Sequence, residues 1–528
     1  MRRRAWLGHG AALAALPWLT APAVVLAQAA VRGGTLVVNL EPEPSSFLFN
    51  AATATILFGS VNDGLVTYDA EFRPVPSLAE SWSQSPDGLS ITFHLRRGVK
   101  WHDGHDFTSA DVAYSVLEVV KKVNPRAGAA YSAVVAVDTP DPHTAIFRLS
   151  EPSPVIWSIL SSAETTILPR HLYEGTNPLI NPWNQKFIGT GAFVFREWAR
   201  GQHILVERNR NYWQGDVVPL DRVRFRVIPD PGARLAALEA GEVHYTPLSV
   251  VPPSDVARLR GVPGLTVETR GYGTFVPVFF FDFNLRRPVF QDHRVRAAFA
   301  HAIDRQGLAD TVWYGLAKPA TGPIPSAQAQ FHTAETPQYP FDPGRAEALL
   351  DAAGLRRGPD GVRLRINHFA MPYGDVLRRA AEYLRESLKR VGVDLQLVNL
   401  DVAPFLRRIY ADRDFDTYSS YYSASADPQI GVTRRFATAA IQPGVAWSNG
   451  TGYSNPEADR IIDASRTEID PERRRHLLIR LQDLAQRDLP SINLLELQHF
   501  SVLSRRVQGL STAVDGYAKS LSSVWLAR

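Results

Sequence analysis

The chain has 528 residues, 45% of them hydrophobic and 21% charged, with no cysteine. Three of its formal +4 charges are arginines at positions 2–4, and the remaining +1 gives no electrostatic case for a nucleic acid or a membrane surface as partner. No disulfide and no lipid-carrying cysteine are possible, and the length exceeds one hydrophobic core, so two or three domains are expected.

The predicted elements begin with a targeting segment. Arg2-Arg3-Arg4 is followed by an apolar, Ala-rich stretch to Leu26 and by Ala27-Gln28-Ala29, an A-x-A cleavage site. Residues 1–29 therefore read as a signal peptide, cleaved by the Sec or the twin-arginine route. The expected location is the periplasm, in a freely diffusing form that is not a lipoprotein. Gly34 to Leu40 reads as a first strand, and the loop Glu41 to Ser46 follows it. Ser85-Pro86-Asp87-Gly88 is a turn, because Pro fixes φ and Gly accepts positive φ. Ile91, Phe93 and Leu95 then alternate with polar residues as a half-buried strand. His102-Asp103-Gly104 makes the next turn. Thr108 and Asp111 have capping-box spacing, with Phe107 and Val112 at the staple positions.

Further on, Thr144 to Leu149 and Phe279 to Asn284 read as strands. Asp292 caps a helix whose Val295, Phe299 and Ile303 share a face. Asp342-Pro343, Asn455-Pro456 and Asp470-Pro471 each place a capping residue before a proline at the first helical position. A helix lined by Leu377, Leu384 and Leu388 ends at Gly392 and feeds a strand at Val393, Leu395 and Leu397, a helix-to-strand unit of an α/β domain. Leu477, Leu481 and Leu484 form the expected buried stripe of the last long helix, and Ile492 to Leu497 returns as a strand.

Several of these segments together resemble one family. Pro76-Ser-Leu-Ala-Glu-Ser-Trp82, the run from Ile91 to Val116, Gly189-Thr-Gly191, Asn209 to Trp213, and Phe283 to Arg305 are similar to the ordered motifs of the family 5 solute-binding proteins of ABC importers, the oligopeptide, dipeptide and nickel binders. The resemblance implies an α/β, periplasmic-binding-protein-like two-lobed fold with an extra inserted domain and two hinge crossings. It implies a first lobe from 30–60, 185–270 and 493–528, an inserted domain at 61–184, and a second lobe at 275–490. It also implies a small-molecule solute, a permease of two transmembrane and two ATPase subunits, a monomer, no cofactor and no catalysis.

The same resemblance points to the ligand segment. Peptide binders of the family carry W-x-x-D-x-x-[D/E]-P, in which the first Asp pairs with the α-ammonium group of the peptide. Matching on Asp427-Pro428 puts Tyr421 at the Trp position and Ala424 at that Asp position. The amine anchor is then missing, and a buried ammonium without a carboxylate is costly. Tyr421, Tyr422, Ser423, Ala424 and Asp427 are candidate ligand contacts. Asp427 replaces the anchor only if its loop shifts; the alternative is a helix N-cap before Pro428. Arg434 is a candidate for a carboxylate or phosphate. Trp447, Tyr272 and Phe275 are aromatic candidates, and Pro44 and Ser45 lie in the loop that faces the cleft in the family. The expected solute is peptide-like, opine-like or an oligosaccharide, with a nickel chelate or haem as an alternative. A catalytic alternative is a metal-dependent hydrolase using His102 and His105. Neighbouring residues of one turn do not converge on a metal without a special loop, so His102 to Asp106 is expected to be scaffold.

Overall fold

The computed structural model describes residues 30–48 and 54–528; the signal-peptide expectation falls outside them. A seven-stranded sheet runs in the order Leu265–Glu268, Ser501–Ser504, Tyr245–Thr246, Thr35–Leu40, Arg222–Val227, His203–Arg208, Phe193–Ala199. Its centre is parallel: Thr35–Leu40 pairs in that sense with both Arg222–Val227 and Tyr245–Thr246. Leu36, Val38 and Leu40 face one core with Phe193, Val206 and Phe225, while Val37 packs on the opposite core with Leu238 and Val502. His244 Nδ1 accepts from the Val37 N–H at 3.0 Å, tying the segment before Tyr245–Thr246 to the central strand.

A six-stranded sheet forms the second lobe, in the order Ala317–Pro319, Ser491–Leu497, Pro277–Phe283, Thr417–Ser423, Leu364–Ala370, Val393–Val398. Every residue of Pro277–Phe283 is buried, as expected of a central strand covered on both faces. The helix Asp375–Arg390 covers this sheet with Leu377, Leu384 and Leu388. In the helix Pro471–Asp488 Leu481 and Leu484 are buried as expected, together with Leu478 and Ala485, while Leu477 is only half-buried.

Residues 79–149 carry a separate four-stranded antiparallel sheet, in the order Ala79–Gln84, Ser90–Leu95, Thr144–Leu149, Val134–Asp141. Gly88 has φ +71°, as its turn requires. Both halves of the Thr108–Asp111 capping box form. Asp111 uses its other oxygen to accept from the Arg170 N–H at 2.8 Å, which ties this helix to the next segment. Gly189 and Gly191 close the region onto the first sheet. A Cβ on Gly189 would lie 1.9 Å from the Val61 carbonyl oxygen, so only glycine permits that backbone approach.

The chain crosses between the two large sheets twice. The first crossing runs from Glu268 to Pro277 and the second from Leu497 to Ser501. The second falls later than the expected 490–493. Ser491–Leu497 pairs on both sides within the second-lobe sheet, so residues 493–497 belong there.

Candidate functional site

Strand direction locates the cleft. In the first lobe, Leu40, Val227, Thr246 and Glu268 end their strands on the side where Ser501 begins its own. In the second lobe, Pro277 pairs with Ser423, and Leu364–Ala370 runs parallel to Thr417–Ser423. The carboxyl ends of the parallel strands of both sheets therefore meet at the hinge, where open α/β sheets place ligands. Leu248 and Ser249, just after Tyr245–Thr246, and Ser425, just after Thr417–Ser423, have φ between +53° and +58°, a conformation uncommon in non-glycine residues.

The second lobe contributes an aromatic wall. Tyr421 is half-buried, with its ring 6.4 Å from Tyr373, which in turn lies 6.2 Å from Trp447. Tyr373 follows the carboxyl end of Leu364–Ala370 and is exposed. Burial raises the Tyr421 and Tyr373 hydroxyl pKa values, so both are neutral donors. Tyr422 points the other way, into the lobe. Its hydroxyl donates to the Pro323 carbonyl at 2.5 Å, and its ring covers the Arg435 guanidinium at 4.6 Å. Strand alternation forces this difference between neighbours. Tyr422 is therefore a core residue in this structure.

The segment after the strand is pinned. Ala424 is 1% exposed, so its methyl group is packed into the lobe. The Gln328 side-chain amide donates to the carbonyls of Ala424 and Ser425. The Ser423 hydroxyl accepts from the Ser425 N–H at 3.2 Å. Asp427 caps the short helix Pro428–Gly431 by accepting from the Gln429 N–H at 2.8 Å. Its two oxygens also accept from Arg474 at 2.7 and 2.8 Å, in a pair whose side chains are 5% and 6% exposed. The Asp427 carboxylate is fully used inside the lobe. The shift that would bring it to a ligand does not occur here.

The arginine of this region that turns inward is Arg435. It donates to Asp282 at 2.8 Å and lies between Phe280 and Tyr422. Arg434 is half-buried on the same turn, Thr433–Arg435.

Both crossings contribute to an aromatic cluster at the hinge. Phe275 of the first stacks on His499 of the second, 5.0 Å between centroids at 9°. Tyr272 is buried, accepts from the Leu248 N–H at 3.0 Å, and stacks on Tyr517 at 5.7 Å. Burial lowers the His499 pKa to about 4, so the imidazole is neutral at pH 7. In the first lobe, the Pro44 and Ser45 carbonyls both accept from Arg200 at 3.2 Å, which fastens their loop to the far edge of the sheet. Burial raises the Glu41 carboxyl pKa, against the pull of Arg234.

Sequence reasoning missed Tyr373, Gln328, His499 and Tyr517. It also missed Asn39 and Thr246, whose buried side chains have no hydrogen-bond partner among the described residues. Asn39 is the penultimate residue of Thr35–Leu40 and Thr246 the last of Tyr245–Thr246, and a polar residue near the end of a parallel strand was the available signal. A cavity of about 310 Å³ lies beside the hinge, lined by Phe72, Gly273, Thr274, Gln328, Ala426 and Val514.

The turn at His102 is structural on its buried side. His102 Nδ1 accepts from the Gly189 N–H at 3.2 Å, and Nε2 lies 3.0 Å from the Gly191 carbonyl oxygen. Both nitrogens are engaged, and burial lowers the pKa to about 4. A hydrolase using His102 as a metal ligand has no free ring nitrogen to work with.

Residues 73–444 match the family described as bacterial extracellular solute-binding proteins, family 5, middle region. The chain belongs to family 5. It is 25% identical over 537 aligned residues to the glutathione-binding protein GsiB of Salmonella typhimurium, covering 98% of this chain and 95% of that one. It is 26% identical over 518 to the dipeptide-binding protein of Escherichia coli K12, covering 91% and 92%. Among solved structures, AgaA of A. tumefaciens R10 in complex with agropinic acid superposes with a TM-score of 0.75 at 24% identity, covering 94% of this chain and 99% of that one. The two-lobed fold is thereby shown. This family 5 chain is a substrate-binding protein of an ABC importer, and its family binds solutes outside the cytoplasm for a permease rather than catalysing a reaction.

Proposed function

We propose that this protein captures a solute that lacks a free α-ammonium group: an amine-blocked peptide, an opine-like conjugate or a small oligosaccharide. One observation carries the reading. The segment at the peptide-amine position offers no free carboxylate, because residue 424 is a buried alanine and Asp427 is held by Arg474 and the Gln429 N–H. The agropinic acid bound by AgaA is an example of an opine-like conjugate taken by a protein of the same fold. Tyr373, Tyr421 and Trp447 supply flat apolar faces for the solute.

The capture cycle follows from the two crossings. A solute that touches both lobes binds the closed form better and shifts the hinge by that difference in affinity. The closed monomer then docks on a permease with two transmembrane and two ATPase subunits. Export by a cleaved signal, without a lipid anchor, places the mature chain in the periplasm. Thermal-shift titration tests the ligand reading: free di- and tripeptides should leave the melting temperature unchanged. A free tripeptide that binds in the micromolar range would refute the reading.

A further inference from the structure

The outer side of the His102–Asp106 turn differs from its buried side. His171, on the short helix Arg170–Tyr173, comes back to this turn from 68 positions further along the chain. Its Nε2 lies 2.7 Å from one oxygen of Asp103, and His105 Nδ1 lies 3.2 Å from the other. The two imidazole rings stand face to face, 4.1 Å between centroids at 30°. One donor atom from each of the three residues falls within 4.8 Å of the others, and all three side chains reach solvent. The convergence that adjacent residues of one turn lack is supplied by a residue from another element.

We propose that Asp103, His105 and His171 form a surface site for one divalent late-transition-metal ion of the zinc type, separate from the solute cleft. Two imidazole nitrogens and one carboxylate oxygen are a donor set that such ions accept, with the remaining positions left to water or a small-molecule donor. The central carboxylate already contacts both rings, so an ion replaces protons at a preassembled centre. Nearby cations are neutralised: Lys100 pairs with Asp106 at 2.7 Å and Arg170 with Glu174 at 2.8 Å. A bound ion would fasten the turn to the helix Arg170–Tyr173. The site does not depend on what occupies the cleft.

The test uses the tag-free mature protein after treatment with a chelator. Calorimetric titration with Zn²⁺ should show one equivalent bound in the micromolar range, and Co²⁺ should give the visible absorption of an imidazole-ligated ion. His105→Ala, His171→Ala and Asp103→Asn should each weaken Zn²⁺ binding by about tenfold or more. Zn²⁺ should also raise the melting temperature of the wild type and leave that of His171→Ala unchanged. The exposed positions predict that the metal-free variants keep the wild-type circular dichroism spectrum. Wild-type protein that takes up no Zn²⁺ at about 100 μM overturns the proposal without recourse to any variant, as does unchanged affinity in the double variant His105→Ala/His171→Ala.

Discussion

Arg474→Met separates the pair that withholds Asp427 from the cleft. The wild-type carboxylate accepts two hydrogen bonds from Arg474, at 2.7 and 2.8 Å, and one from the Gln429 N–H at 2.8 Å. The substitution leaves only the last, on a carboxylate that is almost fully buried. It also removes the Arg474 Nε hydrogen bond to the Ser465 carbonyl at 2.9 Å. Removing one partner of a buried ion pair costs about 3–5 kcal/mol. The double variant Arg474→Met/Asp427→Asn leaves no uncompensated charge and should recover much of that loss. Urea denaturation followed by tryptophan fluorescence, on all four members of the cycle, reads both quantities. The released carboxylate should also raise the affinity of Arg474→Met for a free tripeptide above that of the wild type. A single-variant loss below about 1 kcal/mol, or a double variant no more stable than the single one, would refute the claim that Arg474 holds Asp427.

Tyr421→Ala and Trp447→Ala should each weaken binding of the natural solute by about ten- to a hundredfold, from lost aromatic burial, with little change in melting temperature; fluorescence titration measures it. Gly189→Ala should destabilise the fold by about 1–3 kcal/mol or more, because its Cβ meets the Val61 carbonyl oxygen at 1.9 Å; soluble yield and melting temperature report it, and a wild-type value would contradict the packing described. Burial lowers the pKa of His368 to about 3 and that of His499 to about 4. Both lie below the unfolded value, so the unfolded chain binds more protons between pH 6.5 and those values. Stability is then retained above pH 6.5 and falls as the pH drops toward 3. Melting temperatures across that range should slope downward with acid, and His368→Gln should flatten the slope.

Local rules made much of the fold legible. Thr108 and Asp111 cap a helix because their spacing satisfies two end groups at once, and the structure forms both bonds. Asp342, Asn455 and Asp470 cap helices before proline for similarly local reasons. Family motifs supplied the lobes, which periodicity alone does not. The second crossing was misplaced because Ser491–Leu497 pairs with strands more than 150 residues away, and nothing local shows that. The site was legible only in part. Tyr421 lies half-buried beside Tyr373 whereas Tyr422 turns into the core, a choice set by strand register that the bare Tyr-Tyr pair does not disclose. Arg474 and Gln328, which pin residues 424–427, lie 47 and about 100 residues away in sequence. His171 reaches Asp103 across 68 residues, which is why the turn looked like scaffold alone.

The most direct measurement is of the solute that travels with the protein. Protein purified without denaturant is unfolded, and the released small molecules are analysed by mass spectrometry before and after treatment with an amine-reactive label. The account predicts a stoichiometric solute whose mass the label leaves unchanged. A stoichiometric peptide that takes up the label at its α-amine would contradict it.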